Sequence, residues 1–419
     1  MPNNQQYKSL TADVEPVGNS GFDNEEKEKP KKEEKVDIKQ KMKDIQKKEK
    51  QQEKQNLNQL NKLIYKINYF LENATRVPLT QKIFFVQNLG IMMKAGLSLG
   101  QALKAIKEQT PNKRLKNILT DITVRVEKGQ SFAAALKNYP QEFSELFISM
   151  IESGELSGNL EKVFKQLHHQ MKRNHELISK VKGAMIYPII VVTAMVGIGA
   201  AMIVFVMPKF ISIFEELEAE LPLPTQILIA VSNFVQANGF FVALGLIIII
   251  ATFIKFIKTK TGKTMTDKLF LILPILSPVV KKINLARFSR TMSSLIKTDI
   301  PIVKSFNITA NTLGNTFYHQ ALLESAEKVK KGVQINQALR EYPKIFPPVV
   351  TQMITVGEES GSIDEILEEV ADFYEEDIDQ TMKNLPQIIE PILMLVLGLG
   401  VGFMAVSVLM PMYSLSEAF

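Results

Sequence analysis

Slid against itself by 203 residues (357 − 154), this 419-residue chain matches without a gap. IESGELSGNL, Ile151 to Leu160, falls on ITVGEESGSI, Ile354 to Ile363. Phe85 meets Phe288, Lys94 meets Lys297, and Gly129 meets Gly332. Tyr139-Pro140 meets Tyr342-Pro343, and Met207-Pro208 meets Met410-Pro411. Gly, Pro and aromatic residues in register over such a length mark an internal duplication. Each unit is polar to amphipathic and ends in a long apolar stretch. The chain therefore has to fold as two like modules, each tied to a hydrophobic segment.

Crossing a bilayer takes about 20 apolar residues. The sequence meets this in YPIIVVTAMVGIGAAMIVFVMP, in GFFVALGLIIIIATFI with the residues before it, and in QIIEPILMLVLGLGVGFMAVSVLMP. These predict spans at 186–208, 225–257 and 387–411. Bases set the orientation. Lys162, Lys165, Lys172, Arg173, Lys180 and Lys182 precede the first span, and Lys255, Lys258, Lys260, Lys263 and Lys268 follow the second. The 209–224 connection has one base, Lys209, against Glu215, Glu216, Glu218 and Glu220. That connection and the tail 412–419 are therefore expected outside, and the N-terminus in the cytoplasm.

The rest of each unit reads as helices. Thr80 to Lys94 is apolar at Ile83, Phe84, Val86, Leu89 and Met93, near the 3.6 period. Ser98 is placed to cap a following helix, and Gly129 with Ser131 to stop one and start the next. The expected fold is an all-α membrane protein with two cytoplasmic helical bundles, 76–185 and 285–386, and three transmembrane helices. The middle span and the linker 258–284 bring the second bundle back to the side of the first.

The doubled turn has two readings. In one, Gly154 and Gly357 end helices while Ser157 and Ser360 cap the next ones. In the other, Glu155 and Glu358 present acidic turns to a partner or a cation. The motifs LGIMMKAGLSLGQAL, GQSFAAALKNYPQEF, SGELSG with GEESGS, YPIIVV, and VMPKF with LPLPTQ together resemble the type II secretion system protein F family, in its pilus-assembly branch. The resemblance runs from about residue 75 to 413. It implies a non-enzymatic platform in the bacterial inner membrane. Its implied partners are a hexameric cytoplasmic assembly ATPase, pilin or pseudopilin subunits, and other inner-membrane assembly proteins. Membrane lipid surrounds the spans, and repetition of like domains suits a homo-oligomer. A membrane transporter and a signalling scaffold are the competing readings. The spans offer a transporter no evident polar path, and the short 209–224 loop gives a sensor little to work with.

Other chemistry finds little support. No Cys excludes disulfides and thiol catalysis, and a net charge of +6 gives no broad basic surface for nucleic acid. TKTGKTMTD ends like a phosphate loop, but Ile257 stands where the first Gly belongs. His168 and His175 are two helical turns apart, too far to share an ion. No metal, cofactor or catalytic residue is assigned. The acidic run Asp372, Glu375, Glu376, Asp377 and Asp379 is either a solvated helix face or a docking surface for a basic partner. Glu390 lies inside the third span opposite Tyr187 of the first unit. It either snorkels to the interface or holds the N-terminal amine of a pilin before extraction. Residues 1–55 have too little apolar content to form a core and are expected to be disordered. Residues 56–75 carry Leu57, Leu60, Ile64, Ile67 and Leu71 at amphipathic-helix spacing.

Overall fold

The computed structural model describes residues 76–216 and 222–418. The readings of 1–55 and 56–75 lie outside the described residues, as do 217–221 of the expected outer loop.

The first copy consists of α1 (Leu79–Lys94), α2 (Leu99–Gln109), α3 (Lys113–Glu127), α4 (Phe132–Leu136), α5 (Glu145–Leu156) and α6 (Leu160–Ala201). The second copy follows α11 (Leu276–Ile296) with α12 (Ile302–Thr312), α13 (Thr316–Lys330), α14 (Ile335–Arg340), α15 (Pro348–Ser360) and α16 (Ile363–Ala418). The first residues of α2, α3 and α6 map onto those of α12, α13 and α16 at the sequence offset of 203.

Local chemistry sets these starts. Ser98 Oγ accepts from Gln101 N at 3.4 Å while Gln101 Oε1 accepts from Ser98 N at 3.1 Å, closing a reciprocal cap on α2. Asn112 Oδ1 accepts from Leu115 N at 2.9 Å at the start of α3. In the second copy Pro301 and Pro347 stand where Ser98 and Ser144 stand. There a fixed φ replaces a side-chain acceptor as the start signal.

Each bundle closes on aromatic pairs at matched positions. Phe85 lies 6.3 Å from Phe143, and Phe288 lies 5.2 Å from Phe346. All four are fully buried, so truncating one to Ala costs about 3–5 kcal/mol. The repeated Tyr-Pro step also has a shared task. Tyr139 donates its hydroxyl to Asp121 Oδ2 at 2.7 Å, and Tyr342 donates to Glu324. Burial, then that bond, pushes the Tyr139 phenol up to about 12.

The bundles are not separate. Leu295, Ile300 and Ile308 of the second copy are part of the hydrophobic core of the first. They arrive there because α11 and α12 pack on α5 and α6.

Three helical stretches are long and apolar enough to cross a membrane: Leu160–Ser212, Gly239–Lys258 and Ile363–Met410. The first carries α6 through a π segment, Met202–Val206, into α7 (Met207–Glu216), so the start of the expected 209–224 loop is helical. The expected second span, 225–257, is divided at Asn238 into α8 (Leu223–Ala237) and α9 (Gly239–Lys258). The expected linker is occupied by α10 (Lys260–Ile272) and the first turns of α11, which meet at 108°.

Two prolines explain how α8 is seated. In the π segment Met207 N–H bonds the Met202 carbonyl, and Pro208 has no N–H to offer Ile203. Ser232 of α8 donates to that Ile203 carbonyl at 3.0 Å. Pro411 likewise leaves the Ser407 carbonyl without its helical donor, and Thr225 of α8 donates to it at 2.6 Å. In hydrocarbon, backbone groups freed by Pro have to be satisfied by a neighbouring helix. One helix thus serves the same Met-Pro defect in both copies.

Candidate functional site

The acidic turns come first. α5 continues through Gly154, and α15 through Gly357, so neither glycine ends its helix, contrary to the first sequence reading. A Cβ at Gly154 would lie 2.7 Å from Val163 Cγ2, and one at Gly357 would lie 3.0 Å from Ile363 Cα. These glycines allow the next helix to approach closely. The chain reverses at Gly158 and Gly361, with φ of 68° and 73°. Ser360 is the last residue of α15 and bonds back to Val356, rather than capping α16.

The carboxylates turn inward. Glu155 accepts from Phe132 N at 2.5 Å and Ala133 N at 2.8 Å. Glu358 accepts from Ile335 N at 2.6 Å and Asn336 N at 2.9 Å. Those N–H groups open α4 and α14, where a helix end leaves donors unpaired and favours negative charge. The reading of Glu155 and Glu358 as groups facing a partner or cation is corrected accordingly: they close the chain on itself. Among the described residues no three His, Asp or Glu side chains are grouped to hold a metal ion. Gly262 of the GKT segment lets α10 abut α9, since a Cβ there would meet the Phe256 carbonyl oxygen at 1.9 Å.

The acidic run of α16 lies along a charged seam between the copies. Arg290, only 3% exposed, donates from Nε to Glu375 at 2.9 Å and also bonds Asp372, with Glu368 at 3.5 Å. Burial opposes its charge, but the carboxylates of Glu375 and Asp372 outweigh it and hold the guanidinium above its ordinary value. Lys180 of the first copy pairs with Asp379 at 2.8 Å, and Arg173 stands 3.9 Å from both Asp372 and Glu375. The Lys180 and Lys383 hydrogen bonds hold the Asp379 carboxyl below the usual carboxylate range. Lys282 pairs with Asp377 at 2.8 Å.

The structure therefore separates the two candidates of this run. Glu375 is engaged with Arg290, whereas Glu376 is exposed and, among the described residues, carries no ion pair. Glu390 is exposed on α16. A cavity of about 300 Å³ opens beside the seam, lined by Lys82, Glu142, Gln170, Arg287, Arg290 and Glu375 among others.

Two features escaped sequence reading, and both were available as mismatches between the copies. Lys162, Lys165, Lys172 and Arg173 of α6 correspond to Glu365, Glu368, Glu375 and Glu376 of α16. Of these, Arg173 and Glu375 meet at 3.9 Å where the two copies of this helix lie side by side. Glu142, whose side chain is 1% exposed, sits between Lys82 at 2.8 Å and Arg114 at 2.9 Å. The second copy has Leu285, Ile345 and Phe317 at these three positions. One copy thus holds a buried ion triad where the other holds apolar side chains.

A doubled helical bundle whose copies each continue, on one helix, into an apolar membrane-length stretch defines a polytopic membrane scaffold. The chain belongs to the type II secretion system protein F family: the profile described as type II secretion system (T2SS), protein F, matches residues 85–208 and again 288–411. It is 36% identical over 336 residues to the type IV pilus assembly protein PilC of Myxococcus xanthus, covering 80% of each chain. The protein of the same name from Thermus thermophilus is 32% identical over 352 residues, 82% of this chain and 86% of its own. The type II secretion system protein F of Vibrio cholerae is 31% identical over 332 residues, 79% of this chain and 81% of its own.

Proposed function

We propose that this chain is an inner-membrane platform of a type IV pilus or type II secretion machine. In this reading it couples a hexameric cytoplasmic ATPase to the insertion of pilin or pseudopilin subunits into a fibre, alongside other inner-membrane assembly proteins. Both bundles then lie in the cytoplasm with the N-terminus, and the C-terminus lies outside. The names of the relatives support the machine, and the Lys and Arg flanks support the orientation.

The observation that carries the coupling is helix continuity. α6 has 42 residues and α16 has 56, and each passes from bundle core to apolar span without a loop. At 1.5 Å per residue they are levers of about 60 Å and about 80 Å. A displacement imposed on the bundles is thereby carried into the bilayer. Glu390, near the start of the apolar part of α16, is proposed to hold the amine of an incoming subunit transiently.

Deletion of the gene, scored together for surface fibres, secreted proteins and transformation, tests the reading. Loss of at least one, restored by the intact gene, is expected. Unchanged fibres, secretion and transformation would contradict it. For Glu390, Glu390→Gln should weaken pilin cross-linking and fibre assembly; wild-type levels of both would reject that role.

A further inference from the structure

The joint between the two copies is not symmetric. The first copy contributes α5 and α6, and the second contributes α11, α12 and the side of α16 that carries Asp372, Glu375 and Asp379. Ser153 donates to the Thr298 carbonyl at 2.6 Å, Gln166 to Ser294 at 3.1 Å, and Gln170 to Thr291 at 3.1 Å. Each copy therefore uses a different face. The face of α1 that carries Phe84 and Ile91, and the face of α15–α16 that carries Val356 and Phe373, do not take part in this joint.

Both unused faces are exposed where their counterparts are covered. Arg287, Ser294 and Ile300 lie in the joint, and their counterparts in the first copy are Phe84, Ile91 and Leu97. Phe84 is 53% and Ile91 57% exposed. Ser153 and Gln170 lie in the joint on the other side, and their counterparts in the second copy are Val356 and Phe373. These are 56% and 59% exposed. Two apolar patches thus sit where the fold has already placed an interface.

We infer that the α1 face of one chain receives the α15–α16 face of a second copy of the same chain, reproducing between chains the joint that already exists within one. Carrying the internal geometry across puts Ile91 against Phe373, where Ser294 meets Gln170, and Ala95 against Val356, where Thr298 meets Ser153. The charges also fit. Arg173 faces Glu375 within the chain, and the corresponding pair between chains is Glu376 with Lys172, opposite in sign again. Both are exposed, and neither has an ion pair among the described residues. The basic partner sought for Glu376 is, on this inference, Lys172 of the neighbouring chain.

An interface of this kind is heterologous, and repetition either closes it into a ring or continues it as a filament. α6 and α16 run from equivalent positions of their bundles into apolar spans, so the joint sets the two copies side by side at one membrane face. Repeating it in the plane of a bilayer favours a ring. The inference rests on the duplication and on exposure, not on the proposed function. A chain that assembled this way yet supported no fibres would count against that function only.

The 419-residue chain has no Cys, so single cysteines can be introduced cleanly. Chains carrying Ile91→Cys and chains carrying Phe373→Cys are co-expressed with different tags, and membranes are treated with a short bis-maleimide. The mixture should give a dimer containing both tags, and either variant alone should give none. Independently, Lys172→Glu and Glu376→Lys should each weaken self-association by about threefold to tenfold, with recovery when one chain carries both. Cross-linking of Ile91→Cys to itself, to its own chain or to another protein overturns the inference. So does the absence of any cross-link, or a double swap that fails to recover association.

Discussion

Thr225 donates its hydroxyl hydrogen to the carbonyl oxygen of Ser407 at 2.6 Å, the oxygen that Pro411 leaves without a helical donor. Hydroxyl bonds of this kind between membrane helices contribute about 0.6 to 1.7 kcal/mol. Thr225→Val should therefore destabilise the chain by about 1 kcal/mol in equilibrium unfolding in micelles. Pro411→Ala returns an N–H to the helix and should shrink that loss to a few tenths. An undiminished loss in the double variant would contradict this account of the Met-Pro repeat.

The buried triad Lys82, Glu142 and Arg114 makes a second prediction. Glu142→Ile takes the shared carboxylate away from two largely buried cations, and should cost about 3–5 kcal/mol. The full exchange to the second copy's residues, Lys82→Leu with Arg114→Phe and Glu142→Ile, should be neutral or stabilising by about 1–4 kcal/mol. Thermal unfolding of the two variants beside the parent chain makes the comparison.

Glu155 and Glu358 are expected to act through stability. Charged hydrogen bonds contribute about 1.5–3 kcal/mol each, so Glu155→Ala and Glu358→Ala should each cost about 2 kcal/mol or more. Hydrogen exchange should quicken at the amides of Phe132 and Ala133 in the first variant, and of Ile335 and Asn336 in the second.

The seam should loosen in acid. The Asp379 carboxyl is held below the ordinary carboxylate range by Lys180 and Lys383, and that of Glu152 by Lys137, with Lys304 of the second copy contributing. A carboxyl whose folded value is depressed gives stability that is present above its unfolded value and is lost as pH falls through the folded one. Thermal stability should thus be flat with respect to these groups from pH 7 to about 5 and fall below about pH 4. Asp379→Asn should shallow that fall.

Much of this fold was legible. The 203-residue offset placed every helix of one copy opposite its counterpart, and Ser98 and Ser131 cap α2 and α4 as their positions predict. Gly154 misled because a Gly-Glu-x-Ser-Gly cluster has the composition of a turn. Its actual constraint is Val163, which becomes its neighbour only when α6 folds back. The acidic run looked solvated because its own helix holds few of its counter-ions. Arg290 and Lys180 are 82 and 199 residues from their partners Asp372 and Asp379 (372 − 290 and 379 − 180). The sequence did contain a signal that α6 and α16 lie together, in the inversion from Lys172 to Glu375 and from Arg173 to Glu376, of which Arg173 and Glu375 meet at 3.9 Å. The break at Asn238 had no comparable signal, since this span has no second copy to set it against.

Both helical bundles lying on the cytoplasmic face is the claim on which the platform reading stands. Lys128 and Lys331 are equivalent, exposed positions at the ends of α3 and α13, suited to single-cysteine replacement. A membrane-impermeant maleimide should label neither Lys128→Cys nor Lys331→Cys in intact spheroplasts, and both in inverted vesicles. Labelling of Lys331→Cys from the outside would contradict the account.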